Sequence, residues 1–133
     1  RPGLAKTYHQ LGTLAQRGGG LAEAEQWYRK ALAIEEEVGN RPGMALSYGQ
    51  LGLLAEERGR LPEALAWTVR CVTLFSEFPH PATGPGPGHL ARLTGLLGMA
   101  ALQQAWHGAT GAGVPGVVLD YVKDSLREGT GNE

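Results

Sequence analysis

The sequence predicts an all-α protein in which antiparallel helix pairs stack on one another and a C-terminal helix covers the last of them. Three observations carry this. Residues 1–40 align over 41–80 without a gap, and 16 of the 40 aligned pairs are identical, which marks a tandem duplication. Within each copy the apolar residues recur every three or four positions, the period of a helix buried on one face. Glycine and proline punctuate the stretches between, and no alternating strand-like run occurs.

The first unit, 1–40, reads as two helices. Leu4, Tyr8, Leu11 and Ala15 form one apolar stripe, and Gly18-Gly19-Gly20 ends it. The second helix carries Leu21, Ala24, Tyr28, Ala31 and Ile34, with Glu23 and Glu25 in its first turn, where the helix dipole favours anions. Gly39 suits a left-handed terminus, with Pro42 beyond it. The second unit, 41–80, repeats the scheme. Met44, Tyr48, Leu51 and Ala55 precede a turn at Gly59, followed by Leu61, Ala64, Trp67/Thr68, Cys71 and Leu74/Phe75. Pro62 falls in the first turn, where its missing N–H costs little.

From Pro79 to Gly88 the run Pro-His-Pro-Ala-Thr-Gly-Pro-Gly-Pro-Gly is expected to be irregular, so 81–88 is read as a loop. Residues 89–110 form a degenerate third pair, with Leu90, Leu93 and Leu97 on one helix and Met99, Leu102, Trp106 and Ala109 on the next. Its turn is tight. A helix over 114–127 places Val114, Val117, Val118, Tyr121 and Val122 opposite Asp120, Lys123 and Asp124, the amphipathic pattern a stacked array needs at its end. The tail, 128–133, is expected to fray. A start at Arg1 without methionine points to a piece of a longer protein. The uncapped repeat there is expected to continue upstream or to meet another chain.

Composition narrows the function classes. Twenty-one glycines and eight prolines stand among 133 residues, but without the three-residue period of collagen, and 42% hydrophobic residues suffice for a core. Twelve basic residues balance thirteen acidic ones, evenly along the chain, so no basic excess invites nucleic acid. No apolar stretch is long enough to span a bilayer, and no signal peptide is evident. A soluble cytoplasmic domain is expected, without nucleic-acid or membrane partners.

The repeat resembles the tetratricopeptide repeat, whose pattern asks for a large residue, Leu and Gly in the first helix, then Ala, an aromatic and Ala in the second. Tyr8, Leu11, Gly12, Ala24, Tyr28 and Ala31 answer it in the first unit, and Tyr48, Leu51, Gly52 and Ala64 in the second. Thr68 departs from it, standing where the aromatic belongs beside Trp67. The forty-residue period is similar to the longer-helix class found in kinesin light chains, Leu-Gly-Asn-type scaffolds and the helical arms of bacterial regulators. The resemblance implies a short right-handed superhelix with a concave groove. It also implies a non-catalytic module for a protein or peptide partner, within a larger bacterial signalling or regulatory protein. A self-associating homo-oligomeric scaffold and a ligand-sensing regulatory arm are the alternatives.

By that resemblance the groove is lined by Lys6, His9, Gln10, Thr13 and Arg17 in the first unit. The second contributes Leu46, Gly49, Gln50, Leu53 and Glu57, and the third pair Ala91 and Arg92. The carboxylate clamp of chaperone-tail adaptors would fall on His9, Thr13, Gln50, Gly88 and Arg92. Only the arginine matches, so that partner class is not expected. The repeated Gln10 and Gln50 are candidates for bonding a peptide backbone.

Catalytic and metal chemistry find little support. Gly111-Ala-Gly113-Val-Pro-Gly116 spells a dinucleotide-binding pattern but lacks the strand that must precede it. The four histidines have no paired ligand spacing, so no metal or other cofactor is expected. His9 is read as a solvated or groove side chain, Glu35-Glu36-Glu37 and Glu56-Glu57 as solvated faces, and Cys71 as a small core residue.

Overall fold

A computed structural model of the chain describes residues 3–131, and these form seven α-helices and no strand. Helices α1 (Leu4–Arg17) and α2 (Leu21–Val38) make the first antiparallel pair; α3 (Arg41–Glu57) and α4 (Leu61–Val72) make the second. Helices α5 (Gly86–Leu97) and α6 (Met99–Thr110) follow, and α7 (Gly116–Gly131) packs against α5. None of the described helices is long and apolar enough to cross a membrane.

Local chemistry sets the boundaries. Gly39 ends α2 with φ 72°, and the next residue, Asn40, caps α3 by accepting a hydrogen bond from the Gly43 N–H at 3.0 Å. Within each of the first two pairs, close approach rests on a glycine. Gly12 lies flat against the ring of Tyr28, and Gly52 against Thr68 and the Ala64 carbonyl. Thr68 leaves a gap where the first unit has Tyr28. The imidazole of His89, from α5, fills it: its Nδ1 lies 3.2 Å from the Thr68 hydroxyl and its ring lies against Gly52. The departure from the repeat pattern is therefore matched by a residue from the third pair.

The core runs continuously from Ala24 and Tyr28 through Leu51, Leu54, Leu65 and Val69 to Leu90, Leu93 and Leu102. Val118 and Val122 of α7 complete it, both essentially without solvent exposure. Cys71 belongs to this core, and burial pushes its thiol up to about 11. Tyr121 meets Phe78 edge-on at 5.4 Å.

Four expectations about boundaries and faces need correction. The second helix of the second unit ends at Val72 rather than reaching Phe75. Thr73 turns its hydroxyl back onto the Val69 carbonyl, a side-chain bond that competes with continuing the helix. The stretch read as loop to Gly88 instead holds a 3₁₀ turn at Pro81–Thr83, and α5 already begins at Gly86. Gly86 lies close against Val72 and Cys71, where a Cβ would crowd both side chains, and Pro87 is tolerated in a first turn because the N–H it lacks has no helical partner there. Val114 precedes α7 and Val117 stays open, so the buried stripe of that helix is narrower than the spacing implies. Finally, α7 continues to Gly131 where a frayed tail from residue 128 was expected. Residues 132–133 of that tail, like the start at residues 1–2, lie outside the described residues.

Candidate functional site

The apolar stripe of α1 is turned toward α2, so its polar side is left to form a wall. Between α1, the end of α2 and the start of α3 lies a hollow of about 820 Å³. Lys6, His9, Gln10, Thr13, Arg17 and Leu46, all expected in a groove, line it together. A second hollow of about 520 Å³ takes Leu53 and Arg92, with Gly88, His89 and Tyr121. Gly49, Gln50 and Glu57 line neither, nor does Ala91, which is buried in the core rather than open to a groove.

Several of these side chains are already engaged. His9 is buried, not solvated. Its Nε2 lies 2.8 Å from Glu35 Oε2 and its Nδ1 2.5 Å from Gln50 Oε1. The Ser47 hydroxyl donates to Glu35 Oε1 at 2.5 Å. Glu35, expected on a solvated face, is only 3% exposed. Its position four residues after Ala31 put it on the buried side of α2, a signal hidden by the neighbouring Glu36 and Glu37. Both ring nitrogens of His9 face acceptors, so the protonated ring can donate to one carboxylate oxygen and one amide oxygen. Gln50 is thereby committed to the joint between the two units rather than held free for a peptide backbone. Glu56 likewise accepts from His89 Nε2 at 2.9 Å and from Arg92, while Glu57 accepts from Gln16 at 2.8 Å.

Serine, histidine and a carboxylate in contact invite comparison with a hydrolytic triad. The geometry differs: Ser47 and Glu35 meet the same nitrogen, Nε2, whereas a triad sets acid and nucleophile on opposite ring nitrogens. Ser47 is also fully buried. The cluster ties α1, α2 and α3 together. Among the described residues no three His, Cys, Asp or Glu side chains converge as a metal site. Gly111 closes α6 and Gly116 opens α7, so the dinucleotide-like motif is a helix connection.

The two buried histidines should titrate apart. Burial by itself lowers the His9 pKa, but the bonds to Glu35 and Gln50 outweigh it, and the value rises above 6.5. For His89 burial prevails over Glu56, and its value falls below 6.5. Stability from charged His9 is therefore complete below pH 6.5 and is lost as pH rises through its folded value. Stability from neutral His89 is complete above 6.5 and is lost as pH falls through its own. NMR titration of the imidazole resonances is expected to place the His9 midpoint above 6.5 and that of His89 below. The reverse order would contradict the hydrogen-bond assignments.

Helix pairs duplicated in tandem and stacked through one core define a helical-repeat protein. Residues 3–77, more than half of the chain, match the tetratricopeptide repeat, and the chain belongs to that family. No individual curated protein matches it. Repeats of this family mediate protein–protein contacts.

Proposed function

We propose that the chain is a non-catalytic module that holds an extended peptide or a helix of a protein partner across α1 and α3. The observation that carries this is a pair of leucines. At the positions where α1 has Lys6 and Thr13, α3 has Leu46 and Leu53, and these remain 51% and 39% exposed. They lie seven residues apart, two turns along the same side of α3, one lining each hollow. Apolar side chains left open at hollows gain free energy when a partner covers them, on the order of 1 kcal/mol each. Lys6 and Arg17 supply a basic border to the first hollow. The forty-residue period supports reading the module as an arm of a larger signalling or regulatory protein, as in bacterial regulators of similar repeat length.

Panning a random peptide library against the chain tests the site. Selected peptides are expected to lose at least about tenfold in affinity, 1.4 kcal/mol, for the double variant Leu46→Asp, Leu53→Asp. Circular dichroism should be unchanged because both side chains are open. Lys30→Ala, on α2 over Tyr8 and Trp27, should bind as the natural chain does. Equal affinity for the aspartate variant would remove these leucines, and with them the site, from the binding surface.

A further inference from the structure

The duplication allows each position of the first unit to be compared with its counterpart in the second, forty residues on. On α3, Ser47, Gln50, Leu54 and Glu57 form the stripe that meets the preceding unit. Ser47 bonds Glu35, Gln50 bonds His9, Glu57 bonds Gln16, and Leu54 is 1% exposed. On α4, Trp67 packs beside Tyr48 at 5.8 Å, with the Arg70 guanidinium 5.2 Å from its ring centre. The preceding unit adds Arg29, at 5.1 Å from the same ring.

The first unit carries the same joint, open. Gln10 matches Gln50, Leu14 matches Leu54 and Trp27 matches Trp67, all identical; Thr7 keeps the hydroxyl of Ser47 but turns it onto the Gly3 carbonyl at 3.0 Å, and Arg17 stands in the place of Glu57. Trp27 packs beside Tyr8 at 5.6 Å with Lys30 at 4.9 Å, just as Trp67 has Tyr48 and Arg70. Among the described residues, no second cation stands on Trp27 as Arg29 stands on Trp67. Leu14 is 63% exposed where Leu54 is buried, and Gln10 is exposed with no histidine against it. A glutamine whose copy works as an acceptor inside a joint, beside a leucine whose copy lies in the core, is explained by joint formation rather than by the hollow alone.

We propose that the face formed by Thr7, Gln10, Leu14 and Trp27 receives a further helix pair of the same forty-residue pattern. Its first helix presents a histidine to Gln10. Its second presents an arginine to the open ring of Trp27, with an apolar ridge over Leu14. Gln10 and Leu14 border the first hollow as well, whereas Thr7 and Trp27 line neither, so the joint extends beyond the proposed peptide site and is tested separately from it.

The chain can be offered such a unit directly. Residues 1–40 are copied in frame ahead of Arg1, so that Asn40 of the copy joins Arg1 as Asn40 joins Arg41 in the natural chain. Thermal unfolding and ¹⁹F NMR of 5-fluorotryptophan-labelled protein then compare the extended and natural chains, with Trp27→Phe assigning the resonance. The extended chain is expected to melt in one transition, higher by about 5 °C or more, with the original Trp27 resonance displaced. Leu14→Glu is expected to abolish that gain in the extended chain while shifting the natural chain by no more than about 2 °C, since the side chain is open there. Separate melting of the added unit with an unmoved Trp27 resonance would overturn the proposal. So would a concentration-dependent Trp27 shift in the natural chain that the added unit leaves in place, because a second copy would then be the occupant.

Discussion

Replacing Glu35 by alanine is expected to destabilise the protein by about 3–5 kcal/mol, the cost of leaving one partner of a buried pair without the other. The His9 ring keeps its proton because Glu35 Oε2 lies 2.8 Å from Nε2. Without that carboxylate the ring must lose its charge or unfold the joint, and the Ser47 hydroxyl loses its acceptor as well. Since native stability is typically about 5–15 kcal/mol, a loss of this size should lower Tm by about 10 °C or more. Glu35→Gln keeps an acceptor for the imidazole and should cost less. The double variant His9→Leu, Glu35→Leu should cost much less than the sum of the two single losses, because no buried charge remains alone. Urea denaturation measures all of these. A Glu35→Ala variant within about 1 kcal/mol of the natural chain would show that the pair is solvated and the joint loose.

Gly12→Ala and Gly49→Ala are expected to act in opposite directions, although both glycines lie inside helices. A Cβ on Gly12 would sit 2.5 and 2.7 Å from two ring carbons of Tyr28. That ring is 1% exposed, and its hydroxyl donates to Gln16 at 2.7 Å, so it has nowhere to retreat. Overpacking of this kind costs about 1–3 kcal/mol, more than the gain of up to about 1 kcal/mol from replacing a helical glycine. At Gly49 nothing lies within 4 Å, and only the gain remains, about 0.5–1 kcal/mol. The two midpoints in urea should therefore fall on either side of the natural one. A Gly12→Ala protein at least as stable as Gly49→Ala would mean that the two helices can part at little cost.

Much of the architecture is legible in the chain because it is local. The forty-residue duplication, the apolar stripes and the glycine turns specify the first two helix pairs, and Leu90 to Trp106 specify the third. What escaped was set by neighbours distant in sequence. The Pro/Gly stretch after Pro79 looks irregular by composition, yet α5 begins inside it because Gly86 can lie against Val72 and Cys71. Thr68 looks like a defect in the repeat until His89 arrives from α5.

The candidate site divides the same way. Repeat register was enough to place Lys6, Thr13, Leu46 and Leu53 on corresponding sides of α1 and α3, because helical spacing decides which residues share a face. Register could not say which of those polar residues were already taken. Gln50 is held by His9, Arg92 is paired with Glu56, and Glu35 is buried within a run of three glutamates. Periodicity orients a side chain relative to its own helix. Whether a charge on that face stands in water or in an ion pair depends on which group another helix brings within about 3 Å, and packing alone decides that.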